Sequence, residues 1–241
     1  MSDSLLIHGS CHGTWCWEAV IPALAALGHH ARAIDLPGRD GAPVRLADQA
    51  QAILAALHRP ALVVGHSAGG YPITAAAERD ATHIPGLVYL CAYLPASGQS
   101  LAEMRRAGPS QPLLPAIQVA PDRQSFTFDP ALARDLLYHD CPDQVAARAI
   151  ARLCPEPVAP QETPLILRRS LALPRHDIRC TEDRAIPPAF QTAMAAELSI
   201  AAHHALPTGH SPFFAAPNLL ADKLAQILQS MSALVLPKTN P

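Results

Sequence analysis

Val63-Val64-Gly65-His66-Ser67-Ala68-Gly69-Gly70 is the stretch that decides how the rest of the chain is read. The Gly-x-Ser-x-Gly pattern alone is weak. At ~7% abundance for glycine and serine, chance places one in roughly a tenth of chains this long. Its context is specific: a β-branched strand runs in and a helical stretch runs out. A serine at the apex of such a corner is held in a tight, strained turn. The residues two before and two after it must then be small, so that strand and helix can approach. Gly65 and Gly69 meet that need, and the alternative is a glycine-rich packing turn with an incidental serine.

Outward from this corner, short apolar runs alternate with helical patterns, the signature of a mainly parallel sheet with crossover helices. Strands are expected at Leu5–Ile7, Ala31–Asp35, Ala61–Val64 and Leu87–Leu90, with weaker ones at Asp177–Cys180 and Ala205–Leu206. Helices are expected over Trp15–Leu27, Leu46–Leu57, Ser67–Glu78, Pro188–Leu198 and Asn218–Met231, and the tail after Leu236 is expected to fray. Between Pro95 and Pro174 the alternation stops. Ten of the 25 prolines fall between Pro109 and Pro164, interrupting short helical stretches at Pro130–His139 and Pro142–Leu153. That segment supplies no parallel strands, yet is too apolar for a plain linker. The expected architecture is α/β: a mainly parallel sheet flanked by helices, built from residues 1–95 and 175–241, with residues 96–174 inserted as a small helical cap.

With 49% hydrophobic and 16% charged residues over 241 positions, the chain suits one globular domain with a large buried sheet. A net charge of -2 and the absence of any Lys/Arg block argue against nucleic-acid and membrane partners. Met1-Ser2-Asp3-Ser4 leads at once into the first strand without the features of a secretory signal, and no apolar run approaches the ~20 residues of a membrane helix. A cytoplasmic protein is expected. The six cysteines show neither CxxC nor zinc-ligand spacing and read as buried thiols. His29-His30 and His203-His204 sit at strand starts and read as edge residues. No HExxH, P-loop or GxGxxG occurs, so neither a metal nor another cofactor is expected.

A serine hydroxyl attacks only if a base removes its proton. His210, in Thr208-Gly209-His210-Ser211-Pro212, follows the last strand-like run, where a loop reaches the carboxyl edge of the sheet. An acid must hold the imidazole tautomer. Glu182 and Asp183 both follow the penultimate strand; Asp183 is preferred as the deeper, with Glu182 the alternative. The chain order Ser67, Asp183, His210 is that of a serine hydrolase on an α/β sheet. The oxyanion formed on attack needs donors, expected to be the backbone N–H groups of Ala68 and of Ser10, in the loop after the first strand.

His8-Gly9-Ser10-Cys11-His12-Gly13-Thr14-Trp15-Cys16-Trp17 resembles the first loop of the plant methylesterase and hydroxynitrile lyase family. Cys180-Thr181-Glu182-Asp183-Arg184-Ala185-Ile186-Pro187 through Phe190-Gln191 is similar to that family's acid loop. The resemblance covers both halves of the expected core and fades in the cap. It implies an α/β-hydrolase fold, a triad on Ser67, Asp183 and His210, and oxyanion donors at Ser10 and Ala68. Lyases related to the rubber-tree enzyme have threonine after the first-loop histidine and lysine after the catalytic one; here Gly9 and Ser211 stand instead. Esterase is therefore preferred over hydroxynitrile lyase. A cap tryptophan found in plant methylesterases has no counterpart, since both tryptophans lie in the expected core. With no cationic cluster in the cap, the expected partner is a small, neutral or weakly polar ester. A ligand-binding receptor or a cofactor-free oxygenase or perhydrolase on the same fold are further alternatives, and a homodimer is left open.

Overall fold

The computed structural model describes residues 3–235. The tail after Leu236 lies outside them. Strand β1 (Asp3–Ile7) leads through a 3-10 turn at Thr14–Trp17 to α1 (Val20–Ala26), followed by β2 (His30–Ile34), α2 (Leu46–Ala56) and β3 (Leu62–His66). A 3-10 turn at Ser67–Gly69 opens α3 (Gly70–Arg79), and β4 (Leu87–Leu90) follows. The expected helix over Trp15–Leu27 is thus broken. Pro22 lacks an N–H and is tolerated only in a first turn, so the α-helix cannot begin much before Val20.

The next segment holds α4 (Leu101–Ala107), β5 (Ile117–Val119), β6 (Ser125–Phe128), α5 (Pro130–Tyr138), α6 (Asp143–Ala151), β7 (Glu156–Pro157) and α7 (Val158–Glu162). Besides the helices, β5-β6-β7 form a small antiparallel sheet. Its strands of two to four residues are too short to leave a periodic pattern in so proline-rich a stretch. The chain then returns as β8 (Arg175–Cys180), α8 (Pro188–Ala196), β9 (Ala202–Leu206), α9 (Pro212–Ala215) and α10 (Pro217–Val235).

The main sheet has the order β2-β1-β3-β4-β8-β9, every neighbouring pair parallel. Side chains alternate across it, as the period of two requires. Leu5, Ile7, Val63, Leu87 and Tyr89 pack against α2, α3 and α8. Leu6, Leu62, Val64, Val88 and Leu90 pack against α1 and α10 on the other face. Burial on both sides explains the unbroken apolar runs. Each fully buried Val or Leu contributes about 1.5–3 kcal/mol.

Because the strands are parallel, the loops after β1, β3, β8 and β9 all emerge at one edge. The β4–β8 segment lies over that edge: its apolar cluster of Phe126, Phe128, Leu137 and Tyr138 takes in Cys11 from the loop after β1 and Ala185 from the loop after β8. The six cysteines are unbridged. Among the described residues no helix is long and apolar enough to cross a membrane.

Candidate active site

Ser67 has φ +53°, in the left-handed region that an L-residue occupies only under constraint. The constraint is steric crowding at the corner. A Cβ on Gly65 would stand 2.6 Å from the Gly69 carbonyl oxygen, and one on Gly69 would stand 2.8 Å from that of His8. The corner therefore closes only with glycine on both sides, and it turns the serine hydroxyl out at the carboxyl end of β3.

Three loops deliver the remaining groups. His210, in the loop after β9, has Nε2 3.0 Å from Ser67 Oγ and Nδ1 2.8 Å from Asp183 Oδ2. A carboxylate only accepts, so Nδ1 carries the proton and Nε2 offers its lone pair to the serine. Asp183, in the loop after β8, is itself anchored. Its Oδ1 accepts the N–H groups of Ala185 and Ile186 at 2.7 and 2.9 Å, and its Oδ2 accepts Gln191 Nε2 at 2.9 Å. Glu182 is exposed, and its backbone is what the loop uses: its N–H donates to Thr208 and its carbonyl accepts from His139. Of the two acids, the structure brings Asp183 to the imidazole.

Behind His210 stands a group the sequence reading gave no part. His66 is buried and donates from Nε2 to the His210 carbonyl at 2.8 Å, while Cys91 Sγ reaches the same oxygen at 3.5 Å. Burial above all, with His210 and His12 nearby, pushes the His66 imidazole well below its usual range, so it stays neutral. Both contacts hold the backbone that carries the candidate base. His66, Cys91 and His210 lie close enough to suggest a metal site. Most of these donors are already committed, however: His66 Nε2 and the thiol to a carbonyl, and both His210 nitrogens to Asp183 and Ser67; His66 Nδ1 alone is buried without a hydrogen-bond partner.

Ser10 and Ala68 line the same cavity as Ser67 and His210. The loop that carries Ser10 is held by long-range contacts. His12 Nδ1 donates to the Ser10 carbonyl at 2.7 Å, and its Nε2 accepts the Tyr138 hydroxyl at 2.7 Å. That division of roles is forced, because a carbonyl can only accept. Burial pushes the His12 imidazole down to about 4, so it holds no second proton near neutrality. The next peptide N–H, that of Cys11, donates to the buried Glu156 carboxylate at 2.9 Å, which pairs with Arg39 at 2.6 Å. Cys11 has φ +61°, a second strained residue. Gln161 Nε2 reaches Ser10 Oγ at 2.8 Å. Tyr138, Glu156 and Gln161 all belong to the segment between β4 and β8.

The cavity is narrow and partly open to solvent, walled by Tyr93, Leu101, Phe126, Phe128 and Leu137. His203 and His204 lie on β9, outside this lining; His203 faces Asp177 at 3.6 Å and His204 stacks on His176. Of the residues not singled out from sequence, Gln191 had a visible signal, since it stands in the quoted acid-loop motif. Glu156, Gln161 and Tyr138 had none.

Residues 5–223 match the alpha/beta hydrolase family. The chain is 29% identical to a pyrethroid hydrolase of Sphingobium wenxiniae, over 93% of this chain and 87% of that protein. It is 27% identical to methylesterase 1 of Arabidopsis thaliana, over 92% of this chain and 94% of the other. Among solved structures, a pyrethroid hydrolase from Sphingobium faniae superposes with a TM-score of 0.86 at 25% identity, covering 96% of this chain and 99% of that one.

Proposed function

The chain belongs to the alpha/beta hydrolase family, and from that premise we propose that it hydrolyses small carboxylic esters through a Ser67-His210-Asp183 triad and an acyl-enzyme. The observation that carries this reading is the imidazole of His210, placed 3.0 Å from Ser67 Oγ on one side and 2.8 Å from Asp183 on the other. Residues 1–95 and 175–241 act as the hydrolase core and residues 96–174 as a cap that closes the pocket. Relatives named as a pyrethroid hydrolase and a methylesterase support an ester as substrate.

Ser67 Oγ attacks the ester carbonyl carbon as its proton passes to His210 Nε2. The tetrahedral oxyanion is received by the N–H groups of Ser10 and Ala68. His210, its charge stabilised by Asp183, then protonates the departing alkoxide. Water enters, gives a proton to the same nitrogen and attacks the acyl-enzyme; collapse releases the acid and restores Ser67. No metal or cofactor takes part in this scheme. The unbridged cysteines support a reducing, cytoplasmic location.

The lyase alternative is weakened at Gly9. A Cβ there would stand 2.8 Å from both Ser67 Cβ and His66 Nδ1, so threonine does not fit without displacing the serine. A panel of aryl and methyl esters, run beside mandelonitrile with wild type and Ser67→Ala, tests the proposal. Ester turnover that vanishes in Ser67→Ala supports it. Turnover unchanged in that variant, or cyanide release without ester cleavage, overturns it.

A further inference from the structure

One charged side chain stands unmatched in the cavity wall. Arg105, on α4, lines the same space as Ser67 and His210. Its Nε is buried without a hydrogen-bond partner. Among the described residues no carboxylate lies within ion-pair distance of it, and the cavity lining contains no Asp or Glu. The Tyr93 phenol, in the same wall, supplies no counter-charge either: burial pushes it up to about 12, so it remains neutral.

Apart from Ser10, Ser67, Gln161 and the three histidines, all without negative charge, the rest of the wall is apolar or aromatic. A guanidinium N–H left unpaired at such a surface loses hydration without compensation. The helix that presents Arg105 is nevertheless firmly built: Ser100 Oγ accepts from the Glu103 N–H at 3.2 Å while the Glu103 carboxylate accepts the Ser100 N–H at 2.8 Å. Glu103, the acid closest in sequence, is thereby occupied at the helix start.

We propose that Arg105 anchors one carboxylate of the substrate, so that the ester cleaved here carries a single carboxylate on its acyl or alcohol part and an apolar body between it and the scissile bond. The inference rests on the cavity being the ester site, and it departs from the expectation of a neutral or weakly polar ester by giving the substrate one negative charge. A planar fork of N–H donors matches a carboxylate in geometry and charge. One guanidinium neutralises one such group; a polyanion would leave charge against Phe126, Phe128 and Leu137.

Two matched pairs test this: 4-acetoxybenzoate against 4-methylphenyl acetate, and monophenyl adipate against phenyl hexanoate. The first pair puts the charge on the alcohol side and the second on the acyl side. In wild type, kcat/KM should favour the charged member of at least one pair. Arg105→Leu should reduce that charged-to-neutral ratio by about tenfold or more, the size of one charge-assisted hydrogen bond, chiefly through KM. Arg105→Lys should restore part of it. A ratio identical in wild type and Arg105→Leu overturns the proposal. Calorimetric binding of both charged esters to Ser67→Ala, and to Ser67→Ala combined with Arg105→Leu, decides the matter apart from turnover. Affinity at least tenfold weaker without Arg105 sustains the anchor even if no ester is cleaved, in which case the esterase reading alone fails. Equal affinity, or no binding to either, removes the anchor.

Discussion

The Tyr138 hydroxyl lies 2.7 Å from His12 Nε2, and the opposite nitrogen of that imidazole lies 2.7 Å from the Ser10 carbonyl. A side chain of the inserted segment thus reaches, through one neutral histidine, the loop proposed to receive the oxyanion. Glu156, from the same segment, holds the N–H side of that same Ser10–Cys11 peptide. The proposed cap and the proposed oxyanion site are thus joined by direct hydrogen bonds.

Tyr138→Phe removes the donor to a buried nitrogen and little volume. Stability should fall by about 1–3 kcal/mol, the usual result of an orphaned buried acceptor. Loosening of the Ser10 loop should lower kcat several-fold at nearly constant KM, because the oxyanion exists only in the transition state. Denaturant unfolding and steady-state ester kinetics on the same variant check both.

The two adjacent acids should separate cleanly. Asp183→Asn keeps the shape but presents the wrong hydrogen-bonding group to His210 Nδ1, and a loss of ~10⁴ in kcat is expected. Glu182→Gln alters an exposed carboxylate whose loop contacts are made by its backbone, so its kcat should stay within about twofold of wild type, as surface changes usually do. Comparable losses in both variants would remove Asp183 from its proposed role.

Gln191 is wholly buried and donates to both Asp183 Oδ2 and the Ile186 carbonyl. Gln191→Met, similar in volume, should leave Asp183 short of one donor and free to turn. A fall of about tenfold in kcat at nearly unchanged KM is expected, since the acid that orients His210 is then held less firmly. A stability loss with kcat unchanged would indicate a purely structural role.

Acid should destabilise the fold steeply. Burial lowers His8 from 6.5 to about 3 and His12 from 6.5 to about 4, and holds His66 well below that ordinary value. Each is neutral when folded and takes up a proton near pH 6.5 when unfolded. Their contribution is therefore complete above that pH and is lost as pH falls towards the folded values. Between about pH 6 and 5, His8 and His12 alone should give close to two extra protons on unfolding, a slope of roughly 3 kcal/mol per pH unit that His66 steepens. Urea midpoints measured across this window, for wild type and His12→Asn, should show the slope and its reduction in the variant.

Much of the fold was open to reading because its rules are local. β-Branched runs mark strands buried on two faces, and a serine between closely set glycines marks a corner that only glycine can close. Even α4 carries a local signal, the Ser100-x-x-Glu103 capping pair, within a stretch where the strand–helix alternation stops. The helix expected from Trp15 failed on an equally local rule, the missing N–H of Pro22.

What no local pattern could reveal is which side chains face the site from the insertion. Glu156 meets Cys11 across 145 positions and Gln161 meets Ser10 across 151; neither spacing has a period. The order of strands and the elbow serine follow from backbone sterics and the burial of apolar surface, which neighbouring residues already specify. The unpaired cation of Arg105, the clamp on Ser10 and the choice of Asp183 over Glu182 follow from contacts made only once the segment after β4 has packed over the carboxyl edge of the sheet. Electrostatic and hydrogen-bond energies depend on distance in space, and distance in space exists only after that packing.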